Sequence, residues 1–250
     1  MKWGRVLLRL LGWLLLAVVL LQAYFAVRIV LMRWINPQST AFERSEIVRV
    51  AREAPKWTWR QEWKPYRQIS DHLKRAVIVS EDDGFVNHDG VDWEAIETAW
   101  QKNAKAEAVA EKRAAQAGKS GKPVVKTAKV VGGSTITQQL AKNLFLSGER
   151  NLPRKAQELV ITYMLEVLLG KERILEIYLN SVEWGEGVFG AEAAARRYYG
   201  KSAAQLSAFE AARLAVMLPR PKFFEKNLQS GYLAERSMVI VGRMSGAELP

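Results

Sequence analysis

The sequence predicts a mainly α-helical protein carried on an N-terminal transmembrane helix. Three observations predict it. An apolar run from Leu10 to Val27 follows the basic residues Lys2, Arg5 and Arg9, and flanking apolar residues extend it to the length a bilayer demands. Beyond it, apolar residues recur at helical spacing in one segment after another, with identifiable starts and stops. No alternating polar and apolar stretch competes as a strand.

Composition narrows the classes of function. A chain of 250 residues, 49% apolar, can bury one substantial core beside a membrane segment but not two full domains. It has no cysteine, so a disulfide frame, a thiolate metal site and a thiol nucleophile are all excluded. The formal charge of +11 raises a nucleic-acid reading until it is located along the chain. Residues 1–33 hold five basic and no acidic side chains, and residues 101–131 hold eight basic and two acidic. Those two segments carry the whole excess, so charge sits beside an anchor, where anionic headgroups attract it.

Taken in order, residues 1–33 read as the anchor. Only Gln22 interrupts the apolar run among strongly polar side chains, and no small-x-small site follows at the place where a signal peptide would be cut. Three basic residues ahead of the span put the N-terminus in the cytoplasm and the body outside, although Arg28 and Arg33 reduce the contrast. Residues 34–69 mix charges with Trp57, Trp59, Trp63 and Tyr66 without a sustained period, and read as a connecting segment. The folded body is expected over 70–250.

Ser70 can cap a helix over Asp71 to Ser80 on which Leu73 and Val77 share a stripe. Glu81 is the next step along that stripe. A carboxylate there is costly unless it opens into a cleft or meets a partner, and a solvated helix end is the equal alternative. Residues 101–131, rich in Ala, Lys and Gly, read as an exposed basic insertion. Gly132 and Gly133 then lead into Thr135 and Gln138, which have capping-box spacing. In the helix that follows, Ile136, Leu140 and Leu144 share one stripe, while Gln138 with Lys142 and Gln139 with Asn143 form polar pairs. After a turn over Ser147 to Asn151, Pro153 suits the first turn of a helix reaching Leu169. Glu158 shares a face there with Ile161, Leu165 and Leu168, and Arg154 lies one turn before it. Gly170 breaks the pattern, and Lys171 to Asn180 resumes it through Ile174, Ile177 and Tyr178. Further helices are expected over Ala191 to Tyr199, from the Ser207/Glu210 capping box to before Pro219 and Pro221, and over Leu233 to Met244.

Several of these stretches coincide with family motifs. Glu81-Asp82-Asp83-Gly84-Phe85-Val86-Asn87-His88-Asp89-Gly90, the run from Gly132 to Leu146, Arg154-Lys155-Ala156-Gln157-Glu158, Lys171 to Asn180, the glycines 185, 187 and 190, and Tyr198-Tyr199-Gly200-Lys201 occur in an order that resembles the peptidoglycan glycosyltransferases. The resemblance covers about residues 70–245 and implies a lysozyme-like fold in its monofunctional, membrane-anchored form. The insertion at 101–131 departs from the family pattern.

What the resemblance implies is concrete. The enzyme would polymerise a lipid-linked disaccharide-pentapeptide, lipid II, into β-1,4-linked glycan with release of a lipid diphosphate, inverting the anomeric carbon. Glu81 and Glu158 would be catalytic, Glu81 as base, aided by burial and the like charges of Asp82 and Asp83. Ser134, Thr137, Gln138, Gln139, Lys142, Asn143, Arg150, Arg154, Asn180 and Lys201 would bind substrate, with Lys142, Arg150, Arg154 and Lys201 on the leaving group. Asp82, Phe85, His88 and Gly132 would orient the site. No ligand cluster argues for zinc; no cofactor is required, and a divalent cation, Mg or Mn, is compatible with Glu158. Expected partners are lipid II, nascent glycan, the inner membrane and cell-wall proteins such as transpeptidases, with the body periplasmic and no nucleic acid. Two rival readings stay open: a lytic enzyme that cuts glycan, and a membrane-tethered scaffold.

Overall fold

The computed structural model describes residues 2–53, 58–118, 133–146 and 151–250, with the side chains of 2 and 112–118 left undescribed. Trp57, residues 119–131 of the insertion, Gly132, the turn over 147–150 and Arg150 lie outside the described residues. Helix α1 spans Lys2–Leu31. Its first part is exposed along nearly its whole surface, as a lipid-facing helix would be. Its last turns, with Met32 directly after them, instead bury Phe25, Ile29 and Met32 in the core of the body.

Gln22, the interruption in the apolar run, has a specific partner. Its amide exchanges hydrogen bonds of 2.8 and 3.0 Å with that of Gln157. Gln157 lies on α6 (Leu152–Leu169), where α1 docks. Phe25 packs edge-on to Phe145 at 5.2 Å, and Arg173 Nε donates to the Met32 carbonyl at 2.7 Å. The anchor and body are therefore joined by side-chain contacts as well as by the chain.

Residues 34–69 do more than connect. Helix α2 (Ala41–Glu53) starts at a reciprocal cap: Thr40 N donates to Glu43 Oε2 at 2.7 Å, and Glu43 N to Thr40 Oγ1 at 3.0 Å. Strand β1 (Arg60–Gln61) then joins β2 (Glu183–Gly185) and β3 (Val188–Phe189) in a sheet ordered β1-β3-β2. β1 runs parallel to β3, and β2 antiparallel to it. This small sheet is the exception in a body that is otherwise helical, as the mainly α reading expects. Its glycines have steric causes: Gly187 has φ +68°, and a Cβ there would lie 2.1 Å from the Thr58 carbonyl oxygen.

The other helices follow their sequence signals. α3 (Asp71–Glu81) is capped by Ser70 Oγ, which accepts from His72 N. α4 covers Trp93–Gly118, so the first part of the insertion is a helix, mostly exposed over 101–111. α5 (Ile136–Phe145) has the complete Thr135/Gln138 capping box, and buries Ile136, Leu140 and Leu144. α6 begins at the Asn151 cap. α7 (Lys171–Ser181) and α8 (Ala191–Tyr199) flank the sheet. α9 (Ala208–Met217) starts at the Ser207/Glu210 box; α10 (Pro221–Phe224) and α11 (Gly231–Arg243) close the chain. α3 packs against α9, and α5 against α6 and α7, so the C-terminal end of α3 meets the N-terminal turn of α5.

Candidate active site

Glu81 ends α3 at this meeting point. Its Oε2 accepts a 3.0 Å hydrogen bond from Gln139 Nε2, and Gln139 Oε1 accepts one of 3.0 Å from the hydroxyl of Tyr178. Tyr178 is wholly buried, and burial holds its hydroxyl protonated far above the usual range. A hydroxyl that only donates to Gln139 fixes which end of the amide faces Glu81. Burial raises the Glu81 pKa most; the Gln139 bond opposes it, the charge of Asp82 adds to it and Lys142 counters, with a net rise.

Asp82 holds the junction together. Its Oδ2 accepts from Ile136 N at 2.9 Å, at the positive end of α5, and its Oδ1 lies 2.8 Å from His88 Nε2. Gly90 N donates to His88 Nδ1 at 3.1 Å. Nδ1 is therefore the acceptor nitrogen, and Nε2 donates to Asp82. The Gly90 carbonyl takes the Thr135 hydroxyl at 2.6 Å, closing the loop onto the α5 cap. Phe85 is buried beneath the Lys171 ammonium, 4.6 Å from its ring centre, and Lys171 donates to the His88 carbonyl at 2.6 Å.

Asp83 departs from expectation. It is exposed and pairs at 2.8 Å with Arg243 of α11, and it is not among the charges that raise Glu81. Thr137 is wholly buried and donates to Glu166 at 2.6 Å. Asn180, also wholly buried, bonds Lys64 N at 2.8 Å and the Lys64 carbonyl at 2.9 Å. Lys201 pairs with Glu210 at 2.8 Å. These three side chains brace the body, each occupied by a protein partner.

Two cavities flank Glu81. One, of about 210 Å³, is acidic: Glu81, Asp82, Asp83 and Asp92 line it with Ser134 and Thr135. The other, of about 290 Å³, contains Gln139, Asn143 and the cations Lys142 and Arg154. Gln139 thus has one end on Glu81 and lines the basic cavity. Gln138 lies apart, with Ser134 and Lys155 in a third cavity beside Trp100 of α4.

Glu158 is placed differently. Only 3% exposed, it accepts from Arg154 at 3.0 Å and also contacts the Lys155 ammonium. Lys155 was not expected from the sequence; its signal was the three-residue spacing to Glu158. Glu158 lines none of the three cavities described, but holds one cation at the basic cavity and another at the third. A divalent cation does not fit it, because both its oxygens face cations. Among the described residues no three His, Asp or Glu side chains converge as a ligand set. Sequence reasoning also missed Glu183, a buried carboxylate lining the basic cavity.

Known proteins resemble this chain over nearly its whole length. A family model described as Transglycosylase matches residues 49–245, beginning within α2, ahead of Ser70. A biosynthetic peptidoglycan transglycosylase of Herminiimonas arsenicoxydans is 51% identical over 253 residues, covering 98% of this chain and 100% of that one. One from Paraburkholderia xenovorans is 50% identical over 229 residues, covering 92% and 87%. One from Bordetella pertussis is 46% identical over 250 residues, covering 100% and 97%.

Proposed function

Because this chain belongs to the transglycosylase family, we propose that it is a peptidoglycan glycosyltransferase whose base is Glu81. It polymerises glycan strands for the bacterial cell wall from a lipid-linked disaccharide, lipid II, at the membrane. The observation that supports Glu81 most is its place between an acidic and a basic cavity, hydrogen-bonded to Gln139 of the basic one.

The chemistry needs that polarity. Glu81 removes the proton of the attacking 4-hydroxyl, whose oxygen bonds to the anomeric carbon of the lipid-linked chain. The bond to the diphosphate breaks, and its electron pair leaves with the diphosphate. Lys142 and Arg154 receive that negative charge. Among the described residues Arg154 Nε is buried without a hydrogen-bond partner, a donor left for such an anion. A base on one side and cations on the other suit direct displacement with inversion. A glycan-cutting enzyme expels a sugar hydroxyl and has no such need for cations.

Glu158 acts through others: it holds Arg154 and Lys155 in place. The apolar helix α1 is the single-pass anchor, with the N-terminus cytoplasmic and the body on the periplasmic face of the inner membrane. Transpeptidases and other cell-wall proteins are its expected partners there. The test is incubation of the detergent-solubilised full chain with lipid II. New polymer supports synthesis, whereas shortening of preformed glycan without polymer rejects it. Glu81→Gln should lower polymerisation by about 10²–10⁴-fold with the melting transition retained.

A further inference from the structure

The apolar run of α1 ends at Val27. Its length from Leu10, about 27 Å of helix, matches the hydrocarbon core of a bilayer, so Arg28 emerges at the level of the lipid headgroups. Exposed Tyr24 and Trp34 bracket that level, where aromatic rings gather. A further cavity, of about 380 Å³, opens there between the end of α1 and the start of α2. Arg28 and Arg44 line it with Gln38 and Ser39, and the exposed Leu31 and Ile35 give it an apolar side. Among the described residues neither guanidinium pairs with a carboxylate. Arg28 donates to the Tyr24 hydroxyl at 3.1 Å, and Arg44 to the carbonyl and hydroxyl oxygens of Ser39, each at 3.1 Å. Glu43, beside Arg44 in sequence, instead turns its oxygens to Thr40 N at 2.7 Å and Gln61 at 2.9 Å. The turn between the helices is fixed, because Arg173 donates to the Met32 carbonyl at 2.7 Å and to Asn36 Oδ1 at 2.8 Å. Like charges facing one cavity repel unless an anion stands between them.

We propose that this cavity binds the phosphodiester of an anionic membrane phospholipid, held by Arg28 of the anchor and Arg44 of α2. The inference rests on the anchor proposed above and not on the reaction at Glu81. A guanidinium fork matches phosphate oxygens, and each of the two retains donors for them. Gln38 and Ser39 offer neutral polar contacts to the rest of a headgroup, while Leu31 and Ile35 suit the first carbons of its acyl chains. A free phosphate would satisfy the forks but leave that apolar side unused. The lipid also gives the two cations beyond the span a role on the face where a positive charge is otherwise unfavoured. On α2, Phe42 and Ser45 line the basic cavity beside Glu81 while Arg44 lines this one. The bound phosphate would therefore bridge the anchor to a wall of the active site.

The test uses the full chain in micelles of a neutral detergent, with dioctanoyl phosphatidylglycerol as the probe and native mass spectrometry to count bound lipid. Wild type should retain one phosphatidylglycerol at least about tenfold more tightly than dioctanoyl phosphatidylcholine, whose phosphate is balanced by its own choline. Arg28→Gln and Arg44→Gln should each weaken that binding about tenfold, the loss of a hydrogen bond to a charged group. They act from different helices, so loss of the melting transition in one leaves the other as the test. Lys102→Gln/Lys105→Gln removes two exposed charges from α4 and should change the affinity less than about twofold, because remote charges are screened. Millimolar inorganic phosphate, at matched ionic strength, should leave the lipid bound. Equal affinity for the two lipids overturns the proposal, as does an equal loss in the lysine and arginine variants, which would make the attraction a property of overall charge. Displacement by inorganic phosphate would assign the cavity to a free anion and overturn the lipid as its source. Flotation of the full chain with phosphatidylcholine vesicles reads the anchor separately. Failure to float counts against the span, and failure of the binding pattern against the cavity.

Discussion

Glu81 and Glu158 both continue an apolar stripe on a helix, yet the two regions treat them in opposite ways. At the end of α3, Glu81 meets one neutral donor, Gln139, and the charge of Asp82, so burial dominates and its proton is held more tightly. In the first turns of α6, Glu158 meets two cations, and both oxygens are engaged. A carboxylate short of partners is primed to take a proton. One saturated with cations is a fixed anion that positions them. Burial alone does not mark a catalytic acid; what faces the carboxylate decides.

The sharpest way to break this contrast is to neutralise each residue and compare stability. Glu158→Gln leaves Arg154 buried beside an amide, which should cost about 3 kcal/mol, or roughly 6–12 °C of melting temperature for a chain of this size. The share of Lys155 is small because that residue is half-exposed. Glu81→Gln should instead raise the melting temperature. The folded pKa of Glu81 lies above its unfolded value. Its contribution is therefore fully present below the unfolded pKa and lost as pH rises through the folded one. The gain from Glu81→Gln should accordingly be larger at pH 8 than at pH 4. Melting curves of both variants at the two pH values check this, and shifts of the same sign would erase the distinction between the two regions.

A second measurement sharpens it at the level of chemistry. If Glu81 must be ionised to accept a proton, polymerisation should rise with pH through its raised pKa. Tyr178→Phe removes the bond that orients Gln139, weakening the amide's hold on Glu81. That bond favours the ionised form, so its loss should move the acid limb to higher pH by a fraction of a unit. Glu158→Gln should lower the rate and leave the limb in place. The pH–rate profiles of the three proteins distinguish these outcomes.

Much of this arrangement was legible in the sequence. The caps at Ser70, Thr135 and Ser207 are local chemistry and placed their helices correctly. The stripe carrying Leu73 and Val77 into Glu81 could be read because its period is written in adjacent turns. α2 escaped although Thr40 and Glu43 have capping-box spacing, because its buried face is carried partly by Glu43, a residue that a hydrophobic period ignores. The strands are two or three residues long, too short for alternation to register. The inward turn of Thr137 and Asn180 depends on Glu166 and Lys64, partners remote in sequence. Glu183 was missed for the same reason, since Lys222 and Glu46 come from distant segments.

The smallest expected effect concerns how α6 is held. Gln157 immediately precedes Glu158, and its amide pair with Gln22 ties that turn to the membrane helix. Polar side chains that hydrogen-bond across packed helices contribute about 0.6 kcal/mol on average in a membrane protein. Gln22→Leu leaves Gln157 unpaired and should cost about 1 kcal/mol, while the Gln22→Leu/Gln157→Leu double variant, with neither amide left wanting, should recover part of it. Polymerisation should fall by no more than about threefold, the change that roughly 0.6 kcal/mol represents, because the perturbation reaches the turn that presents Arg154 and leaves the Glu81–Gln139–Tyr178 chain untouched. Its mark should be a higher KM for lipid II with an unmoved acid limb, read from steady-state rates across pH. A displaced acid limb in Gln22→Leu would mean that the anchor acts on Glu81 as well, and that the two regions are coupled through α5 rather than independent.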